Sequence, residues 1–117
     1  MEPIYGETGS VEGWLDNGIF YNLSGSAMLF LKNEHIYSFQ NGEHKGRFLN
    51  GLIRDHAGTV VGFMNKAIGG PMKPLKSLLP LRPLKSLTPL KPITQTPPIK
   101  PLDTLSWSKI NLSDFIG

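Results

Sequence analysis

The chain has 117 residues, 13 glycines, 10 prolines, no cysteine and a formal net charge of +3. Without cysteine there are no disulfides, thiolate metal sites or cysteine nucleophiles, and a stapled secreted mini-domain is not expected. The opening MEPIYGETGS has neither a basic start nor an apolar run, and no apolar stretch reaches the roughly eighteen residues of a membrane helix, so the expectation is a soluble, cytoplasmic protein.

Residues 1–70 repeat themselves. At an offset of 33, Gly9, Gly13, Asn17, Gly18, Gly25 and Phe30 fall on Gly42, Gly46, Asn50, Gly51, Gly58 and Phe63, and the pair Ile4-Tyr5 returns at Ile36-Tyr37. Two copies of one unit are implied. Within each copy glycines recur every seven to nine residues, and Asn-Gly stands at 17–18, 41–42 and 50–51, the pair that best tolerates positive φ in tight hairpin turns. Between the turns lie β-branched and aromatic residues such as Ile19, Phe20, Tyr21, Ile36, Tyr37, Val60, Val61 and Phe63, a strand vocabulary. Each 33-residue copy then holds two hairpins. Four short hairpins expose edges unless the sheet closes on itself. The expected fold is all-β, a shallow pseudo-symmetric barrel or rosette. The glycines of the recurring GxxxG (Gly9/Gly13, Gly42/Gly46, Gly58/Gly62) belong where strands bend or backbones approach.

The string HKGRFLNGLIRDHAGTVVGF (residues 44–63), together with a proline-rich insertion and a closing Leu105-Ser106-Trp107-Ser108, resembles the four-fold β-flower domain of uncharacterised bacterial proteins. The resemblance implies a shallow barrel of hairpins about a central axis. It brings no activity, cofactor or catalytic residue with it.

Residues 71–102 keep a period of three. Apolar residues occupy every third position, at Met72, Leu75, Leu78, Leu81, Leu84, Leu87, Leu90, Ile93, Ile99 and Leu102, continuing to Leu105, with Thr96 the one lapse. Prolines hold the middle position. Lys73, Lys76, Arg82, Lys85, Lys91 and Lys100, all six basic residues of this segment, share the third, with no acidic residue among them. Proline fixes φ near the polyproline II value, and that helix has three residues per turn, so the pattern predicts a rod with a leucine, a proline and a cationic face. Such a rod either projects or folds back, and a fold-back needs a turn, expected at Thr94-Gln95-Thr96 where phase and proline both lapse. Residues 103–117 are expected to pack back on the barrel as a short closing strand.

No chemistry with a specific motif is present: there is no GxSxG, phosphate-binding glycine loop or HExxH. His35, His44 and His56 lack a close partner pair and read as surface or turn residues rather than metal ligands. Asp55 suits a turn-initiating role, as does Asn22 at the equivalent place. We therefore expect no enzyme, cofactor or metal. The expected function is protein interaction or assembly, with another protein or a second copy meeting the apolar face (Leu75, Leu78, Leu81, Leu84, Leu87, Leu90, Ile93). The alternatives are a small apolar ligand or lipid tail in a barrel mouth lined by Trp14, Phe30, Phe48 and Phe63, and, least favoured, salt-sensitive contact of the basic face with nucleic acid or an anionic membrane.

Overall fold

A computed structural model describes residues 1–117. Eight strands follow in chain order: β1 (Glu2–Tyr5), β2 (Val11–Asp16), β3 (Ile19–Tyr21), β4 (Ala27–Lys32), β5 (His35–Ser38), β6 (His44–Leu49), β7 (Leu52–Arg54) and β8 (Val60–Phe63). Neighbours pair antiparallel, and Tyr5 opposite Phe63 joins β1 to β8 and closes the barrel. Asn17-Gly18 and Asn50-Gly51 both sit at positive φ, as two-residue hairpin turns demand. Asn41-Gly42 differs, since only Gly42 is left-handed and the pair lies in a longer loop between β5 and β6.

The repeat is finer than 33 residues. Each of the hairpins β1–β2, β3–β4, β5–β6 and β7–β8 carries a bulge at the same place, at Ile4/Tyr5, Phe20/Tyr21, Ile36/Tyr37 and Ile53/Arg54. The residue before each shift (Ile4, Phe20, Ile36, Ile53) is fully buried on one side of the sheet. On that side sits the C-terminal helix α1 (Leu112–Ile116), whose Leu112, Phe115 and Ile116 complete the cluster. The expected closing strand is thus replaced by a helix, preceded by a single parallel bridge between Trp107 and Val60. Glycines make room for it: a Cβ at Gly13 or Gly62 would meet Ile116 or Leu112, and one at Gly46 would meet first the Arg54 carbonyl of β7 and then Phe115. Leu29 fills the fourth equivalent place.

The proline-rich segment neither projects nor turns back at one point. It circles the barrel. Ser77, Ser86, Gln95 and Thr104 donate their backbone N–H, at 2.9, 2.8, 2.8 and 3.1 Å, to the carbonyls of Gly9, Gly25, Gly42 and Gly58, one in each hairpin loop. These donors are nine residues apart, and the segment divides accordingly into KPLKSLLPL, RPLKSLTPL, KPITQTPPI and KPLDTLSWS. The triplet pattern conceals a nonapeptide repeat, one per quarter turn. At about 3.1 Å per residue four such units span roughly 110 Å, close to the perimeter of a disc measuring 37 by 36 Å. Thr94-Gln95-Thr96 is one of four docking points, where Gln95 Oε1 also accepts the His44 N–H at 2.9 Å.

Candidate functional site

In a four-fold repeat, the positions that depart from the pattern are the informative ones. Opposite partners at the bulge are Tyr5 and Val11, Tyr21 and Ala27, Tyr37 and His44, and Arg54 and Val60. One step along, Trp14, Phe30 and Phe63 are matched in the third hairpin by Arg47, which pairs with His35. The layer beneath the belt is therefore aromatic and aliphatic except in one quarter, where His35, His44, Arg47 and Arg54 gather. The belt answers with the one acid of its repeat: Asp103 takes the place held by Lys76, Lys85 and Thr94, pairs with Arg47, and lies 3.7 Å from Arg54. Hydrogen bonding to Arg47, helped by the charges of Arg47, Arg54 and Lys100, holds the Asp103 carboxyl below its ordinary range.

His44 is 3% exposed. Its Nε2 lies 2.9 Å from His35 Nδ1 and its Nδ1 lies 3.0 Å from His56 Nε2. The expectation of surface or turn histidines holds for His56, exposed in the β7–β8 turn, and is corrected for His44, buried on β6, and for His35, half-buried on β5, because the fold brings together residues nine and twelve positions apart. The rings form a file, and His44 spends one nitrogen on each neighbour, so the three do not converge on one point as metal ligands would. In the neutral file the N–H groups all point one way along the chain of rings. Asp55 keeps its turn role: its Oδ1 accepts the Ala57 and Thr59 N–H groups, as Asn22 Oδ1 accepts those of Ser24 and Ser26. Burial would raise the Asp55 pKa, but hydrogen bonds from Ser108, Thr59 and Ala57 outweigh it and hold the carboxyl down.

Burial, followed by the charges of His56, His35 and Arg47, lowers the His44 pKa from 6.5 to about 4. The unfolded chain takes up this proton as the pH falls below 6.5 and the native chain does so only near 4. Stability is therefore complete above the first value and drains away towards the second, by roughly 3 kcal/mol from a shift of this size. Urea midpoints measured across this window should fall in the wild type and stay flatter in His44→Gln. Equal slopes would show that His44 is not the group responsible.

A family model described as "4-fold beta flower protein" matches residues 2–116. The chain belongs to the 4-fold β-flower family. The match runs through barrel, belt and C-terminal helix, so this β-flower chain is one fold rather than a barrel with an appended tail. No curated protein matches it, and neither does any solved structure. No helix of the β-flower is long and apolar enough to cross a membrane.

The residues singled out by the triplet pattern separate clearly. The cationic face of the β-flower's belt turns towards the barrel. Lys76, Arg82 and Lys91 lie over the rings of Tyr5, Trp14 and Phe30 at 5.7, 5.7 and 5.4 Å, a stacking favourable to a cation. Lys73 donates to the Gly69 carbonyl at 2.7 Å, Lys85 pairs with Asp16 at 2.6 Å, and Lys100 lies 4.0 Å from Asp103. Five cations of the row are thus engaged within the molecule, and Lys100, 61% exposed, only grazes Asp103. The proposed mouth is not formed either. Trp14, Phe30 and Phe63 are buried on the belt side, whereas Phe48 lies on the helix side against Phe20, 6.0 Å between ring centroids. The apolar face points outward: Leu75, Leu78, Leu81, Leu84, Leu87, Leu90 and Ile93 are 94–97% exposed.

Proposed function

We propose that the protein is a non-enzymatic interaction module that docks apolar protein surfaces, on another molecule or a second copy, against the leucine rim of its belt. The supporting observation is the exposure of every apolar third position from Met72 to Leu102, at 88% or more. Monomers rarely leave so much contiguous apolar surface in water, and large patches of this kind mark binding sites. Burying each such side chain contributes about 1.5–3 kcal/mol, and a backbone already stiffened by proline and pinned to the barrel loses little entropy on docking. The rim is convex and runs round the whole disc, with three triplets per quarter. One flat partner therefore meets only part of it, and the rim suits several partners side by side.

Leu78, Leu81, Leu84 and Leu87 lie along two neighbouring units and touch nothing that the fold requires. Replacing all four by Ser is expected to leave the melting temperature within a few degrees of wild type. Light scattering should then report a shift from assembled protein towards the 12.9 kDa monomer, with weaker binding of a hydrophobic dye. Unchanged mass together with unchanged dye binding would overturn the proposal.

A further inference from the structure

The polar quarter encloses a cavity of about 150 Å³ between the histidine file, Arg47 and the belt residues from Pro98 to Pro101. Three features of its wall point to one kind of ligand. Arg47 is 5% exposed, and although Asp103 accepts from one terminal nitrogen, its buried Nε–H has no acceptor. Leaving a donor of a charged group unsatisfied is costly, and such groups are normally paired. Lys100 holds the place in the nonapeptide that Arg82 and Lys91 hold over Trp14 and Phe30. Here the aromatic ring is replaced by Arg47, so two cations face the same space. The one carboxylate on the wall, Asp55, is already engaged by Ala57, Thr59 and Ser108. The file adds a third donor, because neutral rings linked in sequence leave a free N–H at one end, on His35 or on His56.

We infer that this cavity binds a phosphate-like oxyanion, held by Arg47 from β6, Lys100 from the belt and an imidazole N–H of the file. Donors arriving from separate elements suit a tetrahedral ion, whereas a planar carboxylate is matched by one edge of a guanidinium alone. The volume takes one such group with a few waters, at about 30 Å³ for each water, and no base or sugar. The phosphate is therefore free, or the exposed end of a larger molecule such as a lipid headgroup. The groups facing the site are His35 from β5, His44 and Arg47 from β6, Asp55 and His56 after β7, and Lys100 from the belt, with the belt's Asp103 beside both cations, paired with Arg47 and 4.0 Å from Lys100. An anion beside the imidazoles favours their protonated form. Binding therefore draws in protons.

Sulfate and inorganic phosphate are the probes, because sulfate keeps its charge as the pH is lowered. Calorimetry on the full chain, with imidazole nitrogen shifts followed by NMR, should show saturable binding. Sulfate affinity should rise several-fold as the pH is lowered from about 7.5, because each proton gained by the file adds a positive charge beside the anion. Lys100→Met alters a largely exposed side chain and Arg47→Gln a buried one, and each should weaken binding roughly tenfold or more, the loss of about one charge-assisted hydrogen bond. Co-sedimentation with phosphatidic acid vesicles that both variants abolish would assign the same chemistry to a lipid headgroup. Absence of binding to either ion and to the vesicles would overturn the inference, and so would binding that Lys100→Met leaves unchanged.

Discussion

Deleting residues 112–117 is expected to abolish cooperative folding of the barrel. Leu112, Phe115 and Ile116 are 1, 5 and 2% exposed and pack on Ile4, Phe20, Ile36 and Ile53, one residue from each hairpin. At about 1.5–3 kcal/mol for each fully buried apolar side chain, the helix contributes roughly 5–9 kcal/mol, and the void it leaves adds to the loss. That is comparable to the whole net stability of a small domain, roughly 5–15 kcal/mol. The barrel cannot collapse to fill the space, because Gly13, Gly46 and Gly62 have no side chains to move into it. Circular dichroism melts of the truncated chain should lose their sigmoidal transition, with strong binding of a hydrophobic dye. A cooperative melt within a few degrees of wild type would refute this account. Leu112→Ala offers a milder version, at about 2–5 kcal/mol.

The second large effect concerns the ring of glycines that receives the belt. Gly25 has φ of 90°, and a Cβ there would collide with the Leu84 carbonyl, as it would at Gly9, Gly42 and Gly58 with Leu75, Ile93 and Leu102. Gly25→Ala therefore combines a left-handed alanine, about 1–2 kcal/mol, with loss of the Ser86 N–H bond to the Gly25 carbonyl, about 1 kcal/mol, and displacement of the belt. Gly69 is the matched control, with φ of 85° and nothing within 4 Å of its Cβ position. Gly69→Ala should cost only the conformational part. Denaturant midpoints should separate the two variants by roughly 1–2 kcal/mol. Substituting all four ring glycines should free the belt, so that the hydrodynamic radius grows and trypsin cuts after Lys76 and Lys85, the belt lysines not followed by proline. Equal costs at positions 25 and 69 would mean that the belt is not held through its glycine contacts.

Both effects rest on GxxxG, which in the first, third and fourth hairpins records different docking events: the first glycine admits the belt, and the second admits α1 and, at Gly46, also the close Arg54 carbonyl of β7. The need for glycine at these places was visible in the chain, but its causes were not. The belt and helix partners lie more than forty residues away in sequence, and a local pattern carries no information about which distant segment will approach.

The sequence by itself determined the elements of the barrel, though not the helix that closes it. The 33-residue offset, the Asn-Gly turns and the alternation of strand residues are local consequences of φ preference and side-chain shape, and they led to four hairpins in a closed ring. The three-residue period of the belt likewise follows from proline alone. Which of the three faces would meet the barrel was a tertiary decision. Apolar burial favours turning the leucines inward. The barrel instead offers aromatic rings and glycine carbonyls once every nine residues, and these receive cations and backbone N–H groups, which leaves the leucines outside. The histidine file was invisible for a related reason: His35, His44 and His56 become neighbours only when β5, β6 and the β7–β8 loop are brought side by side by closure of the ring.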